Sequence, residues 1–365
     1  MKNKSVTIVG NIKNHYRFYL SISEIFIDYT VTLCCTNEVF NLIKEIENSS
    51  HIILKLYPKD KLYNSFIEGD INIIEQPYLL KQLIQLAFRK KISNYFLVCH
   101  NINTWFFPLS NIDSSFKVKN IRSMFLREII KYRLKKIIVV SDKLVNSIQN
   151  KKRNVICIPF DILLSSENIK NKTSVSKLKK IVIPGTISRA RDYELIMCLI
   201  ISLENLKDKF EFIFLGKPSD EYGNDVLSKL NNLKLLGYKI KTFSKFISAF
   251  DYHYELKSCD IILSAFDNKF VTGEGFVEYY GISKETGVPY LGLTYNKIII
   301  LPETYNHPTI VSDQVLTFKD INSLNPLLDN LYNSNLNSKP ILGFNEKLIL
   351  LNKLKFKIFN YLNEK

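Results

Sequence analysis

Several features that mark common protein classes are missing from this sequence. No run approaches the roughly 20 apolar residues of a membrane span, no D-x-D triplet occurs, and no group of His and Cys residues has the spacing of a zinc site. The sequence therefore predicts a chain without a membrane-spanning helix, a bound metal or another cofactor.

Cysteine pairs with C-x-x-C spacing are also absent. The six cysteines lie mostly in apolar runs, and none forms a C-x-x-C pair, so we expect reduced thiols in the core. The first residues, MKNKSVTIVGNI, lead straight into a strand-like run without the longer apolar segment of a secretory signal. Both observations favour a cytoplasmic protein.

Arginine is scarce, since only eight of the fifty basic residues are arginines, although the net charge is +15. Lys, Asn and Ile dominate throughout, so part of the excess is compositional. The rest favours anionic partners such as nucleotide diphosphates, lipid-phosphate acceptors or the anionic cytoplasmic face of a membrane. Without an RNA-binding aromatic signature or an Arg-rich stripe, nucleic acid is not an expected partner.

What is present is an alternation of short β-branched apolar runs with helical patterns, which predicts parallel sheets covered by helices. A polar stretch, Ser165–Lys179, separates two such series and is interpreted as a linker. The predicted class is α/β, with two Rossmann-like doubly wound domains facing each other across a cleft, one over 1–165 and the other over 166–344. A helix over 345–365 would return to the first domain. The predicted strands are Ser5–Val9, Tyr29–Cys35, Ile52–Tyr57, Ile71–Ile74, Tyr95–His100, Lys136–Ser141 and Val155–Pro159, then Lys180–Pro184, Phe210–Leu215, Leu233–Leu236, Asp260–Leu263, Lys297–Leu301 and Thr309–Val311.

Four passages of the sequence contain candidate ligand-binding residues. Lys135–Ile162 reads as a strand ending in Val-Val-Ser, a helix and a strand ending in Ile-Pro-Phe-Asp. Ile181–Ile200 is a strand, a turn with a glycine and two arginines, and a helix. Glycine lets a phosphate approach the main chain, and arginine forks match phosphate oxygens. Glu211–Phe266 contains a strand ending in Gly-Lys and a Leu-Gly-Tyr turn.

The fourth passage, Gly273–Pro302, has a Gly-rich turn holding Glu274, followed by a helix that we expect to begin near Ser283–Glu285. Its exposed start would offer the amides and hydroxyls of Ser283, Thr286 and Gly287 to a phosphate, with added charge from Lys284.

In this order the passages resemble the family 4 (group 1) glycosyltransferases of bacterial polysaccharide synthesis, which have the GT-B fold. The resemblance implies that 1–165 is the acceptor-side domain and 166–344 the sugar-nucleotide-binding domain. The resemblance implies a metal-independent enzyme whose nucleobase contacts come from Tyr238 and Lys239, and whose Glu274 contacts sugar or ribose hydroxyls. The family's second glutamate, eight positions after the first, is replaced here by Ile282, which leaves the subgroup and the stereochemistry open. The donor diphosphate would be held by Gly185, Thr186, Arg189, Arg191, Lys217, Ser283, Lys284, Glu285, Thr286 and Gly287.

Two histidines are candidate catalytic residues of the first domain. His100, with Asn101, closes an apolar strand where the family commonly has a histidine facing the donor sugar. His15 follows the first strand, between Asn11 and Arg17, where acceptor contacts and, in inverting relatives, a catalytic base occur. A histidine pKa near neutrality suits a general base.

The predicted function is transfer of a sugar from a nucleotide sugar, UDP- or GDP-linked, to a hydroxyl of a saccharide or lipid-linked saccharide. Two alternatives stay open at this point. A sugar-nucleotide epimerase of related fold would need no acceptor, and a two-domain ligand-binding protein would catalyse nothing.

Overall fold

The computed structural model describes residues 4–46, 51–90, 92, 94–134, 136–148, 154–161, 178–204, 207–266, 268–333 and 344–363. The chain divides into two compact units. The first comprises residues 1–164, 269–285 and 343–365, and the second comprises 165–268 and 286–342. The predicted linker Ser165–Lys179 lies almost wholly outside the described residues.

The first unit is built on a parallel sheet that contains, within the described ranges, seven strands in the order β3-β2-β1-β4-β5-β6-β7. Each of these strands overlaps one of the seven apolar runs that were predicted to be strands. The strands are β1 (Ser5–Gly10), β2 (Thr30–Cys35), β3 (Ile52–Leu56), β4 (Ile71–Glu75), β5 (Tyr95–Val98), β6 (Lys136–Val139) and β7 (Asn154–Cys157).

Helices alternate with these strands, as parallel pairing requires. Amphipathic segments place their apolar residues on the sheet; in α1, for example, Phe18, Ile22 and Ile25 are buried. The helices are α1 (Tyr16–Ile25), α2 (Asn37–Ile46), α3 (Leu62–Ser65), α4 (Leu80–Ala87), α5 (Ile102–Phe106), α6 (Ile121–Arg133) and α7 (Asp142–Ile148).

The second unit has a parallel sheet whose described strands run in the order β10-β9-β8-β11-β14-β15. Asp192, Asp220 and Ser248 cap α8, α9 and α10, each accepting a hydrogen bond from a first-turn backbone N–H. The elements are β8 (Lys179–Pro184), α8 (Tyr193–Ser202), β9 (Phe210–Leu215), α9 (Glu221–Leu235), β10 (Ile240–Thr242), α10 (Ala249–Ser258), β11 (Ile261–Leu263), α11 (Val288–Tyr295), β14 (Ile298–Pro302), β15 (Val315–Phe318) and α12 (Ile321–Asn333).

Two predicted strands of this unit are wrong. Leu233–Leu236 covers the last turn of helix α9 and its C-cap residue Leu236, and the strand comes after it, as β10. Thr309–Val311 belongs to a 3₁₀ helix, Thr309–Gln314, and the edge strand is β15. Both errors come from short apolar runs, whose helical and extended periods cannot be separated over three or four residues.

Two elements from the second half of the chain belong to the first unit. An antiparallel hairpin, β12 (Lys269–Val271) with β13 (Val277–Tyr279), packs on α5 through β13. The last helix, α13 (Phe344–Asn363), packs on α1 and β7. The predicted boundaries had assigned 269–285 to the second domain; the hairpin is grouped with the first because its partners are α5 and α6 residues.

Candidate active site

Three neighbouring strands of the first sheet bring polar side chains to one edge. β4 lies between β1 and β5, and all three are parallel, so their carboxyl ends meet. Glu75 is the last residue of β4, His100 follows β5, and His15 ends the 3₁₀ turn that links β1 to α1. The carboxyl edge of such a sheet is where doubly wound proteins place their ligands.

The Glu75 carboxylate is buried, with 1% of the side chain exposed. Its Oε2 accepts hydrogen bonds from the backbone N–H groups of Asn11 and Ile12, both at 3.1 Å, and from the Tyr19 hydroxyl. A buried charge is stable only when it is paired and hydrogen-bonded. Three donors therefore hold this carboxylate in one position.

The other oxygen of Glu75 faces two histidines. Oε1 is hydrogen-bonded to Nδ1 of His15 and lies 3.4 Å from Nε2 of His100. Burial would raise the pKa of Glu75, but the neighbouring His15 and His100 outweigh it and lower the pKa to about 2. Burial, with the charge of His15, lowers the pKa of His100 to about 4. At neutral pH Glu75 is ionised and His100 is neutral.

His15 has the geometry of a general base. With Nδ1 hydrogen-bonded to the carboxylate, the neutral ring carries its proton on Nδ1 and presents Nε2 as the proton acceptor. The His15 side chain is 20% exposed, whereas that of His100 is 7% exposed. His15 is therefore the more exposed of the two histidines.

An aromatic wall supports the two imidazoles. The ring centroids of His15 and His100 are 4.4 Å apart, and Phe160 meets His15 edge-on at 5.1 Å. Phe18 stacks on Phe160 at 5.5 Å. These contacts limit the rotation of both histidine rings.

The predicted acceptor-side residues surround this edge but are engaged within the protein. Arg17 donates from Nε to Asp161 Oδ2 at 2.5 Å and from Nη2 to Oδ1 at 3.2 Å. Asn11 donates its amide to Gln82 at 3.3 Å. Both side chains are buried.

The turn after the hairpin lies beside His100. Ile102 N donates to Ser283 O at 2.7 Å, and Lys284 Nζ donates to Asn101 Oδ1 at 2.7 Å. Burial lowers the pKa of Lys284. Asn101 and Lys284, predicted on opposite halves of the chain, are thus brought together.

The predicted helix start at Ser283–Glu285 is wrong. The helix is α11, which begins at Val288 with Gly287 as its N-cap residue. Ser283 instead accepts a hydrogen bond from Tyr279 N at 2.8 Å, which closes the turn after β13. The segment Ile282–Lys284 forms a turn instead, because the backbone N–H groups of these three residues all donate to the carbonyl of Tyr279, the last residue of β13.

Two glutamates of the hairpin have structural partners. Glu274 forms an ion pair with Arg127 of α6. Glu278, which the sequence analysis missed, accepts hydrogen bonds from Thr104 N at 2.7 Å, Thr104 Oγ1 at 2.6 Å and Asn103 N at 3.1 Å. Its carboxylate thus caps the start of α5, where a negative charge is favourable.

A second group of predicted residues gathers at the carboxyl edge of the second sheet. Gly185 directly follows β8 with φ at +107°, and a Cβ there would overlap the Arg191 guanidinium. Arg191 Nη1 donates to the Ser264 hydroxyl, which follows β11. Lys217 follows β9, and its carbonyl accepts from Ile187 N at 3.0 Å. Thr186, Arg189 and Lys217 are exposed.

Other members of the predicted donor site lie elsewhere. Ser283, Lys284 and Glu285 belong to the first unit, and Thr286 and Gly287 to the second. Tyr238 and Lys239 precede β10, at the amino edge of its sheet, and Lys239 O accepts from Phe212 N at 2.9 Å. The structure thus separates Tyr238 and Lys239 from Gly185 and Arg191, at the opposite edge of that sheet.

His15, Glu75 and His100 are also a possible metal site. Among the residues that the structure describes, they are the one His/Cys/Asp/Glu group with donor atoms close enough to hold an ion, all within 4.8 Å of one another. Because Glu75 Oε1 already accepts the His15 proton, an ion would have to displace that hydrogen bond.

Comparison with known proteins gives the fold a name. No family model and no curated protein sequence matches the chain. Among solved structures, a glycosyltransferase from Rickettsia africae ESF-5 has 16% identity, with 100% of this chain and 99% of that chain covered and a TM-score of 0.59. Anabaena HepE in complex with UDP and glucose has 13% identity, 100% coverage of both chains and a TM-score of 0.62. A UDP-forming α,α-trehalose-phosphate synthase from Burkholderia vietnamiensis has 8% identity, 99% coverage of both chains and a TM-score of 0.56. The chain therefore has the GT-B fold, with two Rossmann-like α/β units.

Proposed function

We propose that this protein is a glycosyltransferase that moves a sugar from a nucleotide sugar to a hydroxyl of a saccharide or lipid-linked saccharide. The observation that carries the proposal is the Glu75–His15 pair at the carboxyl edge of the first sheet. The GT-B fold of the UDP-forming synthase and of HepE bound to UDP and glucose supports it.

In the proposed transfer step, His15 is the general base. Its Nε2 takes the proton of the acceptor hydroxyl while that oxygen forms a bond to the anomeric carbon of the donor sugar. The bond from that carbon to the diphosphate oxygen breaks, and its electron pair leaves with the nucleoside diphosphate. Glu75 stabilises the imidazolium that forms and fixes the tautomer of the ring, as a carboxylate does beside a catalytic histidine.

The second unit supplies diphosphate binding in this proposal. Gly185 leaves room for the Arg191 guanidinium beside the main chain, and a guanidinium matches phosphate oxygens in geometry and charge. Exposed Arg189 and Lys217 add positive charge beside it. Fixed cations of this kind stabilise a leaving diphosphate without a metal. Ser283, Glu285, Thr286, Tyr238 and Lys239 are not needed for this arrangement.

The first experiment identifies the donor. A panel of UDP-, GDP- and CMP-sugars is tested for thermal stabilisation of the full chain, since a ligand at 100 times its Kd adds about 2.7 kcal/mol to stability. The stabilising donor is then incubated with saccharide acceptors, and nucleoside diphosphate release is measured.

The variant His15→Ala tests the base. Transfer should fall by at least about 100-fold, while the donor still stabilises the protein, because the phosphate groups lie in the second unit. His307→Ala, a histidine of the second unit, is the control and should transfer normally. Transfer by His15→Ala at the wild-type rate would contradict the proposal, and conversion of the donor without an acceptor would favour an epimerase.

A further inference from the structure

Two adjacent helices of the first unit turn apolar side chains toward solvent. α4 packs against α6. Leu80, Ile84 and Phe88, spaced four residues apart along and just beyond α4, are 41%, 44% and 68% exposed. This spacing places them on one face. That outward face is normally polar on a helix that covers a sheet.

The neighbouring helix repeats the pattern. On α6, Ile121, Phe125 and Tyr132 share one face and are 53%, 65% and 84% exposed. Val118, in the 3₁₀ turn that precedes α6, is 77% exposed. We call the outward faces of the two helices and this turn the α4–α6 surface.

A groove of about 450 Å³ opens at the start of α6. It lies between α6 and the chain that follows α5, and Leu109 at its lip is 79% exposed. Of the described residues that line it, Glu128 is the single charged one, and it forms an ion pair with Lys131. The groove is lined mainly by Phe106, Phe107, Pro108, Leu109, Ile121 and Phe125.

Positive charges alternate with these apolar residues. Lys117 and Lys119 flank Val118, and Arg122 follows Ile121; all three cations are exposed. The core of a protein–protein interface is depleted of charge. Cations beside exposed aromatic and aliphatic side chains are instead typical of surfaces that lie at the boundary between lipid headgroups and acyl chains.

We propose that the α4–α6 surface docks on an anionic lipid bilayer. Lys117, Lys119 and Arg122 bind headgroup phosphates, and Ile121 and Phe125 enter the acyl boundary, where the groove accommodates lipid chain. Within the described ranges no helix is both long and apolar enough to cross a bilayer. This inference concerns where the protein lies and is independent of its chemistry.

The test is co-sedimentation of the full chain with vesicles of phosphatidylcholine alone or mixed with phosphatidylglycerol. The wild type should pellet with the anionic vesicles and stay in solution with the neutral ones. The triple variant Lys117→Gln/Lys119→Gln/Arg122→Gln should partition about 100-fold more weakly, because each basic residue near an anionic surface contributes about fivefold. Phe125→Ser should also weaken pelleting.

Matched controls separate a local surface from total charge. The charge control is the triple variant Lys245→Gln/Lys319→Gln/Lys353→Gln, which removes the same number of positive charges elsewhere. The apolar control is Leu235→Ser, which removes a side chain that is 87% exposed on α9. Both variants should pellet like the wild type. Equal pelleting of all variants would overturn the proposal. The proposal would also be overturned if the wild type failed to bind vesicles but formed a dimer in analytical ultracentrifugation that Phe125→Ser dissociated. The partner of this surface would then be a second copy of the chain. Transfer activity is not measured, so failure here leaves the proposed function untouched.

Discussion

At the scale of residues, the Glu75 carboxylate lies at the centre of the candidate active site, where it contacts both His15 and His100. Glu75 ends the run INIIE, in which every residue is buried, and an acid in an apolar strand is the signal that would have pointed to it. The sequence identified His15 and His100 because histidine chemistry is recognisable. It could not show that their common partner comes from a strand 60 residues after His15, since that contact depends on the strand order β1-β4-β5.

Burial of His100 predicts acid lability. Its pKa is about 4 in the folded protein against an ordinary value of 6.5, so between these pH values the unfolded chain binds more protons. The unfolding free energy should therefore fall by about 3 kcal/mol as pH drops from 6.5 to 4. Urea unfolding at several pH values measures this fall, which should largely vanish in His100→Asn but persist in His307→Asn. An unchanged pH dependence in His100→Asn would show that other groups cause it.

At the scale of elements, the sequence predicted strands where apolar β-branched runs were at least four residues long and bounded by polar turns. All seven strands of the first sheet were predicted in this way. Prediction failed for β10, a three-residue strand after a helix end, and for the hairpin β12–β13, whose alternation is brief. The segment Ser283–Glu285 looked like a helix start because serine marks both helix caps and turns, and its long-range partners Asn101 and Ile102 could not be identified from the sequence.

The Glu278 carboxylate should be a major support of this hairpin. Glu278→Ala leaves two backbone N–H groups of α5 without their acceptor and should lower the unfolding free energy by about 3 kcal/mol. Glu278→Gln, which keeps a carbonyl acceptor, should lose less. Trp105, the one tryptophan of the sequence and buried in α5, reports the change by fluorescence during urea unfolding. Glu303→Ala, at an exposed position, is the control; an equal effect from it would refute the role of Glu278.

At the scale of the whole molecule, the carboxyl edges of the two sheets hold different types of residue. The first collects histidines and a carboxylate at its carboxyl edge, and the second collects glycine and arginine. Fold class followed from the sequence because element order alone determines a doubly wound sheet. The domain boundaries did not, because membership of a unit depends on contacts between residues far apart in the chain.

This division predicts that catalysis needs no divalent ion. Arginine and lysine side chains would stabilise the leaving diphosphate, and the Glu75–His15 hydrogen bond would keep an ion out of the histidine group. Transfer should continue at the same rate in excess EDTA. Loss of activity that Mg²⁺, Mn²⁺ or Zn²⁺ restores would contradict this, and restoration by Zn²⁺ alone would point to His15, Glu75 and His100 as its ligands.

The return of the hairpin and of α13 to the first unit has a consequence for biosynthesis. Glu278 must be synthesised before α5 can receive its cap, and α13 must leave the ribosome before α1 and β7 are covered. Domains usually mature in the order of their translation. Here the first unit is completed only after the second has been synthesised, so the nascent chain leaves the α13-binding surface of α1 and β7 uncovered until α13 has been translated.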